Sequence, residues 1–204
     1  MGGHAFPHLF TPRISLPLYQ VIREESITRL RELYLQVIVP AEAPEKQDFG
    51  DIDFLVAEPI GGDWPTVEMI KRQFGTKYGR YSRQLNVDTM YFATKAPGRD
   101  FWIQIDVAVC PKTSPFDWAM FRLAYASITK NIGSMISPLG LTFDPEGLHI
   151  RIEDMERVDW KGSLVFLTNN AMEMLELLGL DAEVYRNIKA EEQCKVTFIS
   201  TRIV

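Results

Sequence analysis

The 204-residue chain holds only two cysteines, Cys110 and Cys194, and three histidines. Two thiols supply neither a disulfide framework nor a four-ligand zinc site. Nothing in the sequence demands an oxidising compartment, so a reducing one is the simpler reading. His4 and His8 stand at a spacing that suits metal on a helix, but Pro7 between them breaks such a helix. No run of about 18 apolar residues occurs, so no transmembrane helix and no membrane partner are expected. The N-terminus lacks the basic start and apolar core of a signal peptide, and Phe6 replaces the Ser or Thr of a myristoylation signal. The expected location is the cytoplasm, with the nucleus as an alternative. Strong charge of one sign is also missing. With 22 basic and 27 acidic residues the net charge is −5, which gives no global pull towards nucleic acid. The segment 71–95 alone carries a net +5, so the remainder carries −10.

What is present is an ordinary globular composition, 46% hydrophobic and 24% charged. The length fits one domain with a small appendage. We expect a main domain over 1–161 and a helical or strand-like extension over 162–204, with Lys195 to Val204 reading as a strand. Prolines make 1–17 an extended entry. Apolar spacing predicts a helix over 18–36 and a short strand over 37–39. Strands are expected at 51–56, 89–93, 101–109 and 148–152, with the Pro97-Gly98 turn making the second and third antiparallel neighbours. Helices are expected at 65–74, from a Ser114 cap to about Ile136, and at 169–178 with Asn169 or Asn170 as cap. The fold class is α/β of the α+β kind: one mixed, mostly antiparallel sheet with flanking helices.

Chemistry is concentrated in Gly50-Asp51-Ile52-Asp53-Phe54-Leu55-Val56. Residues i and i+2 of a strand share a face about 6.7 Å apart, so Asp51 and Asp53 project side by side. Two carboxylates with no basic residue in their strand repel each other. A divalent cation resolves that repulsion, and oxygen-only ligands suit magnesium or manganese. Asp106 lies in a second apolar strand, on the face of Gln104 and Ala108, while Ile103, Ile105, Val107 and Val109 take the other face. If the two strands are neighbours, three carboxylates converge, enough to bridge two metal ions about 3.5–4 Å apart. The bland alternative is a D-x-D that faces solvent or caps a turn. Gly2-Gly3-His4 offers a backbone that approaches a polyphosphate closely.

Together these pieces resemble the nucleotidyltransferase superfamily typified by DNA polymerase β. Its pattern is a glycine pair (here Gly2-Gly3), then h-D-h-D-h on one strand (Gly50 to Phe54), then h-D-h on a later strand (Ile105-Asp106-Val107). The separation of Asp53 from Asp106 resembles the longer-spaced branch of poly(A) polymerases and of oligoadenylate and cyclic-dinucleotide synthases. A closer likeness, to fungal nucleotidyltransferase-like proteins, covers most of the chain. It is carried by Ser114-Pro115-Phe116-Asp117-Trp118, Gly140-Leu141-Thr142-Phe143, Glu146-Gly147-Leu148, Phe166-Leu167-Thr168 and Leu177-Leu178-Gly179-Leu180-Asp181. In the family the glycine pair lies shortly before the aspartates; here 47 residues separate Gly3 from Asp51.

The resemblance implies the nucleotidyltransferase fold and a two-metal transfer of a nucleotidyl group. The donor is a nucleoside triphosphate such as ATP, and the acceptor a hydroxyl on RNA, a nucleotide or a small molecule. Asp51 and Asp53 would bind both ions and the triphosphate, and Asp106 would hold the ion that activates the attacking hydroxyl and would serve as its proton acceptor. Gly2, Gly3 and Lys130 are candidate nucleotide contacts; the commoner role for Lys130 is a solvated lysine on an amphipathic helix. Arg13, Lys46, Lys77 and Arg80 are equivalent phosphate candidates. The basic stretch 71–95, with Tyr78, Tyr81 and Tyr91, reads first as a solvated loop and second as a nucleic-acid clamp. Two alternatives stand beside the transferase. One is a catalytically degenerate module of the same fold used for binding or assembly. The other is a metal-dependent phosphohydrolase or nuclease, which would require further His or acidic ligands that the sequence does not place nearby.

Overall fold

A computed structural model describes residues 3–84, 87–110, 112–124 and 128–188. Among them it shows a mixed α+β protein with ten strands in three sheets and seven α-helices. They fall into two compact units, one drawn from Met1–Pro40 and Lys46–Pro111, the other from Ala41–Glu45 and Lys112–Val204. The expected boundary at 161/162 lies inside the second unit. Gly2, Cys194 and the strand expected at Lys195 to Val204 lie outside the described residues. Among the described residues no helix is long and apolar enough to cross a membrane.

The first unit contains β1 (Ile14–Ser15), α1 (Leu16–Leu30), β2 (Tyr34–Ile38), β3 (Asp48–Phe49), β4 (Asp51–Pro59), α2 (Val67–Phe74), β5 (Tyr78–Gln84), β6 (Val87–Lys95) and β7 (Trp102–Val109). Five of these strands form one sheet in the order β2-β4-β7-β6-β5. The central β4–β7 pair is parallel and the other pairs are antiparallel. β1 and β3 make a separate two-stranded ladder.

Strict alternation gives the sheet its core face. Ile52, Phe54 and Val56 of β4, Ile103, Ile105 and Val107 of β7, and Met90 and Phe92 of β6 are buried against Ile22 and Leu30 of α1 and Ile70 and Phe74 of α2. Each such side chain contributes about 1.5–3 kcal/mol of transfer free energy. α2 follows its end signals closely. The Thr66 side chain accepts from the Met69 N–H, and Gly75 turns left-handed (φ 62°) to stop the helix. A Cβ on Gly79 would lie 2.8 Å from the Lys71 side chain and 2.9 Å from Val67. The missing side chain therefore lets α2 pack directly on β5.

Two expectations for this unit are corrected. The helix expected to reach residue 36 ends at Leu30, and Tyr34–Ile38 is an edge strand. Tyr34 and Val37 reach the core equally well as strand residues, and pairing with β4 satisfies the backbone there. The stretch 71–95 is not a loop: β5 and β6 pair from Tyr78↔Ala93 to Gln84↔Val87. Of its basic residues, Lys71 and Arg72 lie on α2, Arg80 and Arg83 on β5 and Lys95 at the end of β6, and charge alone does not distinguish such helix and strand positions from a loop.

The second unit contains α3 (Phe116–Leu123), α4 (Ile128–Ile136), β8 (Leu141–Phe143), β9 (Leu148–Arg151), α5 (Glu153–Glu156), β10 (Leu164–Thr168), α6 (Ala171–Leu177) and α7 (Ala182–Arg186). Its sheet is antiparallel, ordered β10-β9-β8. Trp118, Phe121, Ile128, Ile132, Leu148, Met174 and Leu175 form the core. The helix expected over 114–136 is divided, because Ala124 takes an extended conformation (φ −66°, ψ 143°) that ends α3. Pro115, not Ser114, holds the N-cap position of α3. Asn170 does cap α6, accepting from the Met172 and Glu173 N–H groups. β8 and β10 add a small second sheet where a single sheet was expected.

Candidate functional site

The polar face of the five-stranded sheet collects the residues with chemistry. β4 and β7 lie side by side, in register Asp51↔Gln104 and Asp53↔Asp106. β6 continues the second row with Tyr91 opposite Asp106, and β5 ends it with Arg80 opposite Tyr91. Cross-strand partners share a face, so Asp53, Asp106, Tyr91 and Arg80 form one row across four strands. Asp51 and Gln104 begin the row beside it. Asp53 is exposed, while Asp51 and Asp106 are half-buried. The guanidinium of Arg80 lies 5.2 Å from the centre of the Tyr91 ring.

Residues 3–5 cross this face. The Gly3 N–H donates to the Gly50 carbonyl at 2.8 Å, directly before Asp51. The Thr11 hydroxyl donates to the Gly3 carbonyl at 2.8 Å. The Ala5 N–H donates to Gln104 Oε1 at 2.8 Å, and Arg80 donates to the Ala5 carbonyl at 3.0 Å. Gln104, only 3% exposed, passes the contact on: its Nε2 donates to Asp106 Oδ1 at 2.8 Å.

The electrostatics follow from this crowding. Burial, then the charge of Asp53, pushes the Asp106 carboxyl up to about 8. The Gln104 hydrogen bond and Arg80 oppose the rise, and Asp51 adds to it. Burial and the neighbouring Asp106 also raise the Tyr91 phenol. A positive charge arriving beside Asp106 would oppose this rise and favour its carboxylate form.

The donors here are hard oxygens, as magnesium requires. Among the described residues, however, no group of three or more His, Cys, Asp or Glu side chains is arranged to hold a metal ion by itself. Magnesium does not need one: it binds through one or two carboxylates and completes its shell with substrate phosphates and water. Asp53 and Asp106, adjacent and mutually repelling, fit that limited role.

The other candidates separate clearly. Gly3 lies at the aspartates despite its distance in sequence. Lys130 is exposed on α4 of the second unit. Arg13 is bound to Asp48, with Nε to Oδ1 at 2.7 Å. Lys46 lies over the Phe49 ring and Lys77 over the Tyr78 ring. Of the five basic candidates, Arg80 is the one in the carboxylate row. His8 packs against Phe6 and Tyr78. His149 is buried in the second unit, 3.8 Å from the Asp144 carboxylate. Cys110 is buried, and burial raises its thiol. A cavity of about 690 Å³ in the second unit is lined by Asp117, Met120, Phe121, Asn170 and Tyr185 among others.

Sequence reasoning assigned no role to Gln104, and it named Arg80 and Tyr91 only among equivalent basic and aromatic candidates, without placing them beside Asp106. Gln104 was within reach, since it stands two residues before Asp106 on the same face. Tyr91 and Arg80 need the register of two hairpins, which no local pattern specifies. No protein-family model matches this chain, and no curated protein matches it significantly.

Proposed function

We propose that this chain is a metal-dependent nucleotidyltransferase with the nucleotidyltransferase fold, transferring a nucleotidyl group from a nucleoside triphosphate to a hydroxyl acceptor. The observation that carries the reading is the register Asp53↔Asp106 on adjacent parallel strands, with Asp51 two residues before Asp53. That register gathers carboxylates from two distant segments onto one face, as the sequence pattern requires. Magnesium or manganese is the fitting cation, and its contribution when bound is to neutralise charge on carboxylates and phosphates. Asp51 and Asp53 orient the triphosphate. Asp106, ionised in the loaded site, accepts the proton of the acceptor hydroxyl. The hydroxyl oxygen bonds to the α-phosphorus, the bond from that phosphorus to the bridging oxygen breaks, and pyrophosphate leaves. Arg80, one strand beyond Tyr91, adds a positive charge that favours phosphate. RNA, a nucleotide and a small molecule are the acceptor classes, and the cytoplasm or nucleus the proposed location.

A second reading, a module of this fold without catalysis, is favoured by one observation. The Asp106 carboxylate is already engaged by the Gln104 amide. Incubation with each α-labelled ribonucleoside triphosphate, Mg²⁺ and an acceptor panel separates the two. The transferase gives label transfer with equimolar pyrophosphate, lost in Asp53→Asn and in Asp106→Asn. Magnesium-dependent binding of a triphosphate with no transfer to any acceptor would favour the module.

A further inference from the structure

We propose that Gln104 is a positioning residue, oriented by the N-terminal segment, that holds the Asp106 carboxylate in place for cation binding. This rests on the reading of Asp53 and Asp106 as cation ligands. A glutamine amide has two ends of similar shape, and its neighbours decide which way it faces. The Ala5 N–H can only donate, so the carbonyl end, Oε1, must face it. Nε2 is thereby turned to Asp106 Oδ1 as a donor. With Oδ1 tied, the carboxylate cannot rotate freely.

The segment that imposes this orientation is itself pinned. Gly3 is tied to the Gly50 carbonyl and to the Thr11 hydroxyl, and the Ala5 carbonyl accepts from Arg80. A Cβ on Gly3 would come within 2.4 Å of Gln104 Oε1 and 2.5 Å of its Cβ. Glycine is needed there so that the segment can lie directly on the glutamine. Gly3 thus packs directly on Gln104, with its N–H given to the Gly50 carbonyl. The chain runs Gly3 and Ala5, then Gln104, then Asp106, with each link a hydrogen bond or a close contact.

Partners of this kind tune a metal site, and losing one typically costs about 10- to 100-fold in metal affinity. The test is Mn²⁺ affinity measured by electron paramagnetic resonance on the full chain, with thermal melting as the fold control. Gln104→Met keeps the volume and removes the amide. Ala5→Pro removes the N–H that orients the amide and leaves Gln104 untouched. Both are expected to weaken Mn²⁺ binding about 10- to 100-fold while melting cooperatively. Asp53→Asn and Asp106→Asn are expected to abolish tight binding. If the aspartate variants lose Mn²⁺ but Gln104→Met and Ala5→Pro bind like wild type, the positioning role is overturned and the cation site stands. If wild type does not bind Mn²⁺, or the aspartate variants bind it normally, the site reading falls and the positioning role with it. Should Gln104→Met fail to fold, Ala5→Pro decides by the same criteria.

Discussion

The two faces of the five-stranded sheet are built from the same strands, residue by alternate residue. On one face Ile52, Phe54, Ile105, Val107 and Phe92 are sealed completely from water. On the other, Asp51, Asp53, Gln104, Asp106 and Tyr91 stand in two neighbouring rows with Arg80 at the end. A one-residue slip of either central strand would exchange the faces. The apolar face therefore does more than stabilise the unit. By fixing the register of β4 against β7, it fixes Asp53 opposite Asp106. Stability and site geometry come from alternate positions of one strand, and substitutions on the two faces are expected to behave differently.

The largest contrast is between neighbours. Phe54→Ala removes a fully buried aromatic side chain and is expected to destabilise the fold by about 3–5 kcal/mol. Asp53→Asn, one residue away on the exposed side, is expected to change stability by about 0.5 kcal/mol or less. Chemical denaturation of both variants checks the pair. Similar losses would mean that the faces are not independent.

A smaller effect concerns pH. The Asp106 carboxyl has its folded-state pKa raised from 3.8 to about 8. Between those values the folded chain keeps a proton that the unfolded chain releases. In the absence of cations its contribution therefore favours folding at low pH and is lost progressively as pH rises through that window. The slope is at most about 1.4 kcal/mol per pH unit. The difference in stability between wild type and Asp106→Asn isolates it: the variant should gain relative to wild type as pH rises from 5 to 8. A flat difference would contradict the raised pKa.

The smallest effect tests the core side. Thr66→Ala removes the cap of α2, which packs on the apolar face, and should cost about 1 kcal/mol in a thermal melt with no change in cation affinity. A change in cation affinity would couple the faces through the helix.

Much of this arrangement was legible in the sequence. Alternation marks β4 and β7 and puts Asp51, Asp53 and Asp106 on their polar sides. Pro97-Gly98 marks the β6–β7 turn, and Gly75 the end of α2. Four features escaped for physical reasons. β5 carries its charges on a strand, and periodicity in charged residues is weak where one side meets solvent. Residues 34–38 satisfy the core as helix or strand, and only pairing with β4 decides between them. Gly3 reaches Gly50 through hydrogen bonds between segments far apart in sequence, which no local spacing reports. The division of the 114–136 helix at Ala124 likewise has no strong local breaker, such as proline, to announce it.

The most direct measurement is a calorimetric titration of each ribonucleoside triphosphate into wild type, Asp53→Asn and Asp106→Asn, with and without Mg²⁺. The expected result is saturable binding of at least one triphosphate to wild type that requires Mg²⁺ and disappears in both variants. A folded wild-type protein that binds no triphosphate, or variants that bind as well as wild type, would contradict the assignment of this sheet face as a cation and nucleotide site.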